Sequence, residues 1–377
     1  NLTNSTNKVP NVPPLRFPEF TEEWEKCKLE NIIHVQGGYA FQSEKFQTIG
    51  VPIIRISNLP QDSSTIDLTE CVYYENGNYD NFIVQKGDLL IAMSGATTGK
   101  TAIYKGDEKA FCNQRVGLFR LKDKKLYYKF LYPFVESESF ANQLNSKLVA
   151  GAQPNISSKD IEDISISLPQ IIEQQKLSRL LELITQRIET QNKIIQNLES
   201  LIKGISKMLL TKQGNTFIKD CLVCNSSTLQ ESSVLPCGKY PVYGATGISG
   251  YLDVPQVEHD AILIIKDGAG VGNVRYATDK YGVIGTLNYL SAKNGYNLKY
   301  LYYCLRIFNF TPFVTGLAIP HIYFRDYGTA KIYCPSLIEQ KHIANNLSNI
   351  ERKIEVEKQL LEKLKEQKKY LLSQMFI

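Results

Sequence analysis

Apolar residues recur at alternating three- and four-residue spacing in two long stretches of the chain. In the first they are Leu177, Leu181, Ile184, Ile188, Ile195, Leu198, Ile202, Ile205 and Leu209. In the second they are Ile343, Leu347, Ile350, Ile354, Leu361, Leu364, Leu371 and Met375. That spacing keeps one stripe of a helix apolar over about four to five heptads, the pattern of a coiled-coil seam. Pro169 and Pro335 stand where each helix opens, a position at which a missing N–H costs little. Glu173 and Glu339 follow, near the positive end of the helix dipole. The pattern predicts two helices, 169–211 and 335–377, each about 60 Å long at 1.5 Å per residue. Gln191 and Glu357 interrupt the seam at one heptad position. Such a polar group either fixes register or marks a helix surface dipping into solvent.

The two stretches are one segment written twice. Residues 154–209 align without a gap on 320–375 at an offset of 166, and 14 of the 56 pairs are identical. Glu173/Glu339, Gln174/Gln340, Pro154/Pro320 and Ile156/Ile322 are among them. An apolar stripe must be buried, and the simplest partner for each helix is the other copy. Related by a pseudo-two-fold axis, the two would run antiparallel. Lys368 stands where the first copy has Ile202, which predicts a wetter end for the second helix.

Shorter, β-branched runs precede each helix. VPIIRIS (51–57), DLLIAM (88–93) and RVGLFRL (115–121) read as strands, and KKLYYKFLYPFV (124–135) reads as a helix. The order repeats with GKYPVYG (238–244), DAILIIKDGAGVGNVRYA (260–277), LNYLSA (287–292) and a helix at LKYLYYCLRIF (298–308). The expected fold is α+β, with two mixed α/β domains, two long antiparallel coiled-coil helices and a pseudo-two-fold internal repeat. Its boundaries are a disordered leader at 1–19, a first domain at 20–168, a helix at 169–211, a second domain at 212–334 and a helix at 335–377. Pro154 and Pro320 are expected to fix the hinge into each helix. Shared skeletons with unlike loops are what two readers of different targets would show.

Composition changes this picture little. The chain of 377 residues has room for two cores, and no apolar run approaches the ~18–20 residues of a membrane span. The start lacks a signal peptide's charged and apolar regions, so the N-L-T and N-S-T triplets read as chance and a cytoplasmic location is expected. Net charge is +5 overall, with −2 over residues 1–168 and +3 over 211–334. Bulk charge therefore does not announce a nucleic-acid binder; such a surface must be locally organised. Eight scattered cysteines fit free thiols in a reducing compartment. Cys221-x-x-Cys224 with Cys237 offers three zinc ligands and lacks a fourth.

Two loops imitate phosphate sites. SGATTGKT (94–101) is one residue short of the Walker A spacing, and the duplicate loop KDGAGVGNV (266–274) carries Asn273 in place of Lys100. The glycines of DGAGVG lack the spacing of a dinucleotide fingerprint. The four histidines are far apart, and no catalytic motif is present, so no active site is read here.

The order of several local marks is more telling than any one of them. These are WEKCKLENII (24–33), GYAFQSEKFQTIGVPIIRISNL (38–59), SGATTGKTAIY (94–104) and Q-P-x-I (153–156), then KYPVYGATGISGYLD (239–253) and I-P-x-I (319–322). In that order, from about Trp24 to Met375, the chain resembles the specificity subunit of type I restriction–modification systems. The resemblance implies a non-catalytic chain whose two target recognition domains each read half of a split site in double-stranded DNA. It implies a helix pair that sets the spacing and docks two methyltransferase subunits, with restriction/translocase subunits joining them and no membrane association. No cofactor is expected on this chain; S-adenosylmethionine, ATP and Mg are expected on the partners. Base readout needs Arg, Lys, Asn, Gln, hydroxyl and aromatic side chains on loops. Candidates in the first domain are Lys45, Arg55, Asn58, Lys100, Asn113, Gln114 and Arg115. In the second they are Lys239, Tyr243, Thr246, Lys266, Asn273, Arg275, Asn288 and Tyr323. Competing readings are the recognition subunit of a related system that cuts both sides of its site, an NTPase using 94–101, and a coiled-coil adaptor that binds no DNA.

Overall fold

The structure is a computed structural model, described here for residues 11–60, 64–148 and 154–377. The first ten residues, which hold both Asn-x-Thr triplets, lie outside the described residues, as does Gln153 of the Q-P-x-I motif. The chain divides into two compact units: residues 1–190 with 361–377, and residues 191–360. The division falls inside the long helices rather than at their starts. Each helix buries its stripe on the globular part beside it, so each unit claims a half of both.

In the first unit, a four-stranded antiparallel sheet runs in the order Ile33–Gly37, Val116–Leu121, Leu89–Ala92, Thr101–Ile103. A second sheet orders Val72–Tyr74, Val51–Ile54, Ala110–Cys112 and Ile83–Val84, with Val51–Ile54 parallel to Ala110–Cys112. Strand Leu89–Ala92 shows why its sequence is apolar throughout. Leu89 and Ile91 point into a core with Trp24, Phe130 and Phe134, whereas Leu90 and Ala92 point into one with Ile54, Val84 and Cys112. Successive side chains alternate faces, so a strand buried on both sides cannot carry a polar alternation.

The second unit repeats the plan. Leu222–Ser226, Leu287–Ala292, Ala261–Ile265 and Val274–Ala277 form an antiparallel sheet. Gly247–Leu252, Tyr240–Gly244 and Gly282–Val283 form the other, again with one parallel pair. Ile262 and Ile264 enter one core, and Ala261, Leu263 and Ile265 enter the other.

The helix expected at 298–308 is observed at Leu298–Ile307. Its counterpart at 124–135 is shorter: a single turn at Tyr128–Phe130 runs into Leu131–Val135. A further helix, Glu138–Lys147, starts afresh where the Ser137 hydroxyl accepts from the Phe140 N–H at 3.3 Å.

The long helices are Ile171–Leu210 and Leu337–Met375. In the first unit Leu177 and Leu181 share a core with Leu372 and Met375. In the second, Gln191 meets Glu357 while Leu210 packs with Ile343 and Leu347, so the two segments run antiparallel. Every seam residue named above is buried or half-buried. Gln191 and Glu357 are buried as well, and the Gln191 amide donates to both the main-chain carbonyl (3.1 Å) and the carboxylate of Glu357. Of the two readings for this position, the register pair is the one observed. The wetter helix end is also a pair, because Lys368 bonds Glu136 at 2.7 Å.

The leader is not free from residue 11 onward. The Leu15 N–H bonds the Gln374 carbonyl at 3.0 Å, and the Asn11 amide bonds the Trp24 carbonyl at 2.6 Å. Arg16 grips buried Glu173 through two contacts of 2.7 Å. Buried Glu173 needs a cation, and this segment supplies it.

Candidate nucleic-acid interface

In each unit the glycine-rich loop joins two antiparallel strands: Leu89–Ala92 to Thr101–Ile103, and Ala261–Ile265 to Val274–Ala277. A phosphate loop needs a helix behind it to aim free N–H groups at the anion. Here the N–H groups are turned inward. Gly99 bonds the Ala92 carbonyl at 2.8 Å, and Gly272 bonds that of Ile265 at 2.9 Å. Lys100 to Thr97 and Asn273 to Gly270 are both 2.9 Å, and Thr98 to Gly95 and Val271 to Gly268 are 3.1 and 3.2 Å. Two equivalent glycines in each loop adopt positive φ: Gly95 and Gly99 at 82° and 84°, Gly268 and Gly272 at 90° and 86°; the second loop adds Gly270 at 84°. The geometry removes the NTPase reading of residues 94–101.

The closing loop of each unit is laced to its glycine loop. The Ile156 N–H bonds the Met93 carbonyl and that of Ile322 bonds Lys266, both at 2.9 Å. The Pro154 carbonyl accepts from the Thr98 hydroxyl at 2.7 Å, and the Pro320 carbonyl accepts from the Gly268 N–H at 2.9 Å. These prolines therefore sit at the glycine loops, 17 residues before the helix starts at Ile171 and Leu337, and are not helix hinges. A third segment joins behind: Met93 N–H to the Arg115 carbonyl (2.9 Å) and Lys266 N–H to that of Thr286 (3.0 Å).

Around this frame the candidate side chains separate by exposure. Lys45, Lys100, Gln114 and Arg115 are exposed in the first unit, as are Lys239, Thr246, Asn273 and Tyr323 in the second. Asn113, Tyr243 and Lys266 are half-buried. Arg55 lies over the Phe46 ring and reaches the Glu70 carbonyl at 3.4 Å. Arg275 donates to the Gly244 and Ala245 carbonyls at 3.4 and 3.1 Å, bracing a turn. Two candidates are internal and do not present their amides. Asn58 is buried, accepting from the Arg55 N–H at 3.0 Å and donating to the Asp67 carbonyl at 2.9 Å. Asn288 is buried in a central strand and accepts from the Ser226 hydroxyl at 2.8 Å.

Other residues of this face are not among the base-reading candidates. Tyr39 is exposed and held between the main chains of Cys112 and Gln114, both at 2.9 Å. Gly38 precedes it because a Cβ there would lie 2.2 Å from the Asn113 carbonyl. In the second unit Leu317 and Ile319 stand exposed beside the glycine loop.

The cysteines do not form a metal centre. Cys221 lies in the core with Cys304 and Cys334, Cys224 is half-buried, and Cys237 is exposed. Among the described residues, no group of His, Cys, Asp or Glu stands where it could hold an ion. Burial pushes the Cys112 thiol up to about 12 and that of Cys224 up to about 11. No helix of the described residues is long and apolar enough to cross a membrane.

Comparison with known proteins agrees with the duplicated plan. The sequence profile of the type I restriction modification DNA specificity domain matches twice, at residues 21–200 and 217–366. The chain is 30% identical over 200 residues to the type I restriction enzyme MjaVIII specificity subunit of Methanocaldococcus jannaschii, a match spanning 51% of this chain and 47% of that one. It is 28% identical over 183 residues to the EcoAI specificity subunit of Escherichia coli, covering 47% of this chain and 30% of that one. The chain thus spans under half the length of these two relatives. The putative MjaX specificity subunit of M. jannaschii is 25% identical over 414 residues, covering 97% and 96%. In fold, the S subunit of a type I restriction–modification system from M. genitalium superposes with a TM-score of 0.68 at 19% identity, covering 97% and 99%. A chain from a study of type I R-M complex assembly and conformational transition gives a TM-score of 0.56 at 16% identity, covering 95% and 98%. With both halves matched by one domain, the chain belongs to the type I restriction–modification DNA specificity family.

Proposed function

We propose that each glycine-loop face reads one half of a bipartite double-stranded DNA target, and that the paired long helices set the gap between the halves. The observation that carries this is the twin loop: one set of main-chain hydrogen bonds in both units, bearing different side chains. A shared frame fixes how each face meets a duplex, and unlike side chains give the two faces different base preferences. The exposed Lys45, Lys100, Gln114 and Arg115 are the first face's candidates. Lys239, Thr246, Asn273 and Tyr323 are the second's, with Asn113, Tyr243 and Lys266 at the edges and Arg55 and Arg275 in support.

Methyltransferase subunits, two of them, are proposed to dock along the helices and to bring S-adenosylmethionine; restriction/translocase subunits would bring ATP and Mg. Each unit carries a groove beside its helices that suits such docking. In the first it is about 390 Å³ and lined by Lys105, Tyr132, Glu182, Gln186 and Glu189. In the second it is about 760 Å³ and lined by Glu199, Tyr303, Arg306, Glu355 and Lys358. Glu189 and Glu355 are repeat equivalents. Near-neutral units fit an assembly in which partners add phosphate contacts.

The test is genome-wide mapping of methylated bases in cells that express this chain with a methyltransferase partner. One bipartite motif is expected, and exchanging residues 20–168 for those of a relative should change one half of it. Absence of a bipartite motif, or a motif indifferent to the exchange, defeats the reading.

A further inference from the structure

We propose that Leu317 and Ile319 form an aliphatic contact to a thymine methyl group in the half-site that the second unit reads. The inference rests on the DNA reading above and names one chemical group within it. The two side chains sit at the tip of a hairpin closed by paired hydrogen bonds between Thr315 and His321, at 2.9 and 2.8 Å. Leu317 is fully exposed at 108%, and Ile319 is 65% exposed.

The tip is built to hold that exposure. Gly316 takes φ +88°, and a Cβ there would lie 2.3 Å from the Ile319 carbonyl. Behind the tip, the Pro320 carbonyl and the Ile322 N–H are tied to Gly268 and Lys266, each at 2.9 Å. The aliphatic pair is therefore ordered before binding, which spares the ordering cost on association.

Its surroundings select the partner. The tip is laced to the loop that carries Lys266 and Asn273. Exposed Arg325 lies 4.7 Å from the Tyr323 ring on the same closing segment and 3.6 Å from Asp326, as Lys266 lies 3.6 Å from Asp267. At that distance neither carboxylate is hydrogen-bonded to its cation, so both cations keep donors for a phosphate. Cations beside an apolar point suit a polyanion with an apolar feature between its phosphates. On the floor of the major groove that feature is the thymine C5-methyl, the one alkyl group that an unmodified base edge presents there.

The two copies differ in sequence at these positions. At the repeat offset Leu317 and Ile319 correspond to Gly151 and Gln153, while Pro154/Pro320 and Ile156/Ile322 are unchanged.

The experiment uses the full chain assembled with its methyltransferase partner on the mapped target. Each thymine of the second half-site is replaced singly by deoxyuridine, which removes the methyl and nothing else. One position should weaken binding by about fourfold in the parent, the worth of one buried methyl. L317A/I319A should bind thymine and deoxyuridine there equally, and should relax the motif at that position while leaving the first half-site intact. I319Q, which restores the first copy's residue, should retain the parent's unfolding midpoint and lose part of the discrimination. A target insensitive to methyl removal everywhere, or a penalty undiminished in L317A/I319A, overturns the inference while the DNA reading stands. Loss of partner copurification by L317A/I319A also overturns it, by making the tip a protein contact. A parent chain without any bipartite motif overturns the DNA reading itself.

Discussion

The loops 93–100 and 266–273 share the main-chain hydrogen bonds that close their turns and differ at five of their eight side chains. The helix entries show the opposite relation. There Glu173 and Glu339 are identical residues at equivalent positions, yet one is fully buried against Arg16 and the other is exposed. The first case teaches that a frame of main-chain hydrogen bonds constrains little beyond two left-handed glycines, so its side chains are free to diverge. The second teaches that identity between copies does not guarantee identical work. The N-terminal segment from Asn11 covers the first helix entry, and Arg16 is what makes Glu173 structural.

The largest expected effect separates these two glutamates. Glu173→Gln leaves the Arg16 guanidinium, which this pair holds above its ordinary value, without its counter-charge. Breaking a buried ion pair by removing one partner costs about 3 kcal/mol. Glu339→Gln, at an exposed first turn, should stay within about 0.5 kcal/mol. Urea unfolding of both variants at neutral pH checks the contrast; equal losses would mean that the arm does not anchor the first helix.

A smaller effect should be shared by both copies. Gln174 accepts from the Tyr127 N–H at 2.8 Å and donates to the Lys125 and Pro169 carbonyls at 2.9 and 2.8 Å. Gln340 accepts from the Asn297 N–H at 2.9 Å and donates to the Pro335 carbonyl at 2.8 Å. Tyr127 and Asn297 are the residues that cap each domain helix, so a duplicated glutamine pins each long helix to its domain. Gln→Ala at either position strands a main-chain donor and should cost about 2 kcal/mol. Unfolding midpoints that moved for one copy alone would show that the pin is not a common device.

Much of this arrangement was legible in the sequence, and the part that was not has physical causes. The seams were readable because a helix repeats its face every three or four residues, and the doubly buried strands because nothing polar interrupts them. The amides of Asn58 and Asn288 suit base edges in a sequence; the same donors and acceptors suit a buried staple in a loop or strand, and exposure alone separates the two. Arg16 and Glu173 lie 157 residues apart, a pairing no local pattern records. Helix Glu138–Lys147 was missed because only Phe140 and Leu144 on it are buried. A proline ahead of a helix suits a hinge, and at Pro154 and Pro320 the carbonyls serve the glycine loops instead. Gln191 and Glu357 were visible as a break in the seam, but their pairing depends on which helix faces which.

That last pair offers the finest test of how the copies differ, since one contributes an amide and the other a carboxylate. Hydrogen bonds from Lys353 and then from Gln191 hold the Glu357 carboxyl below its ordinary range. A carboxyl depressed in the folded chain adds stability that is present above its unfolded value, about 4.3. That stability is lost as pH falls through the lower folded value. Glu357→Gln should therefore flatten the acid limb of the unfolding midpoint between about pH 5 and pH 3. Gln191→Glu should reverse the sign. Two carboxyls within hydrogen-bond reach cannot both ionise without repulsion, so one is raised above its unfolded value and the variant gains stability as pH falls toward that range. Identical pH profiles for parent, Glu357→Gln and Gln191→Glu would show that the two helices do not meet at this layer, and that the asymmetry between copies has no part in holding their register.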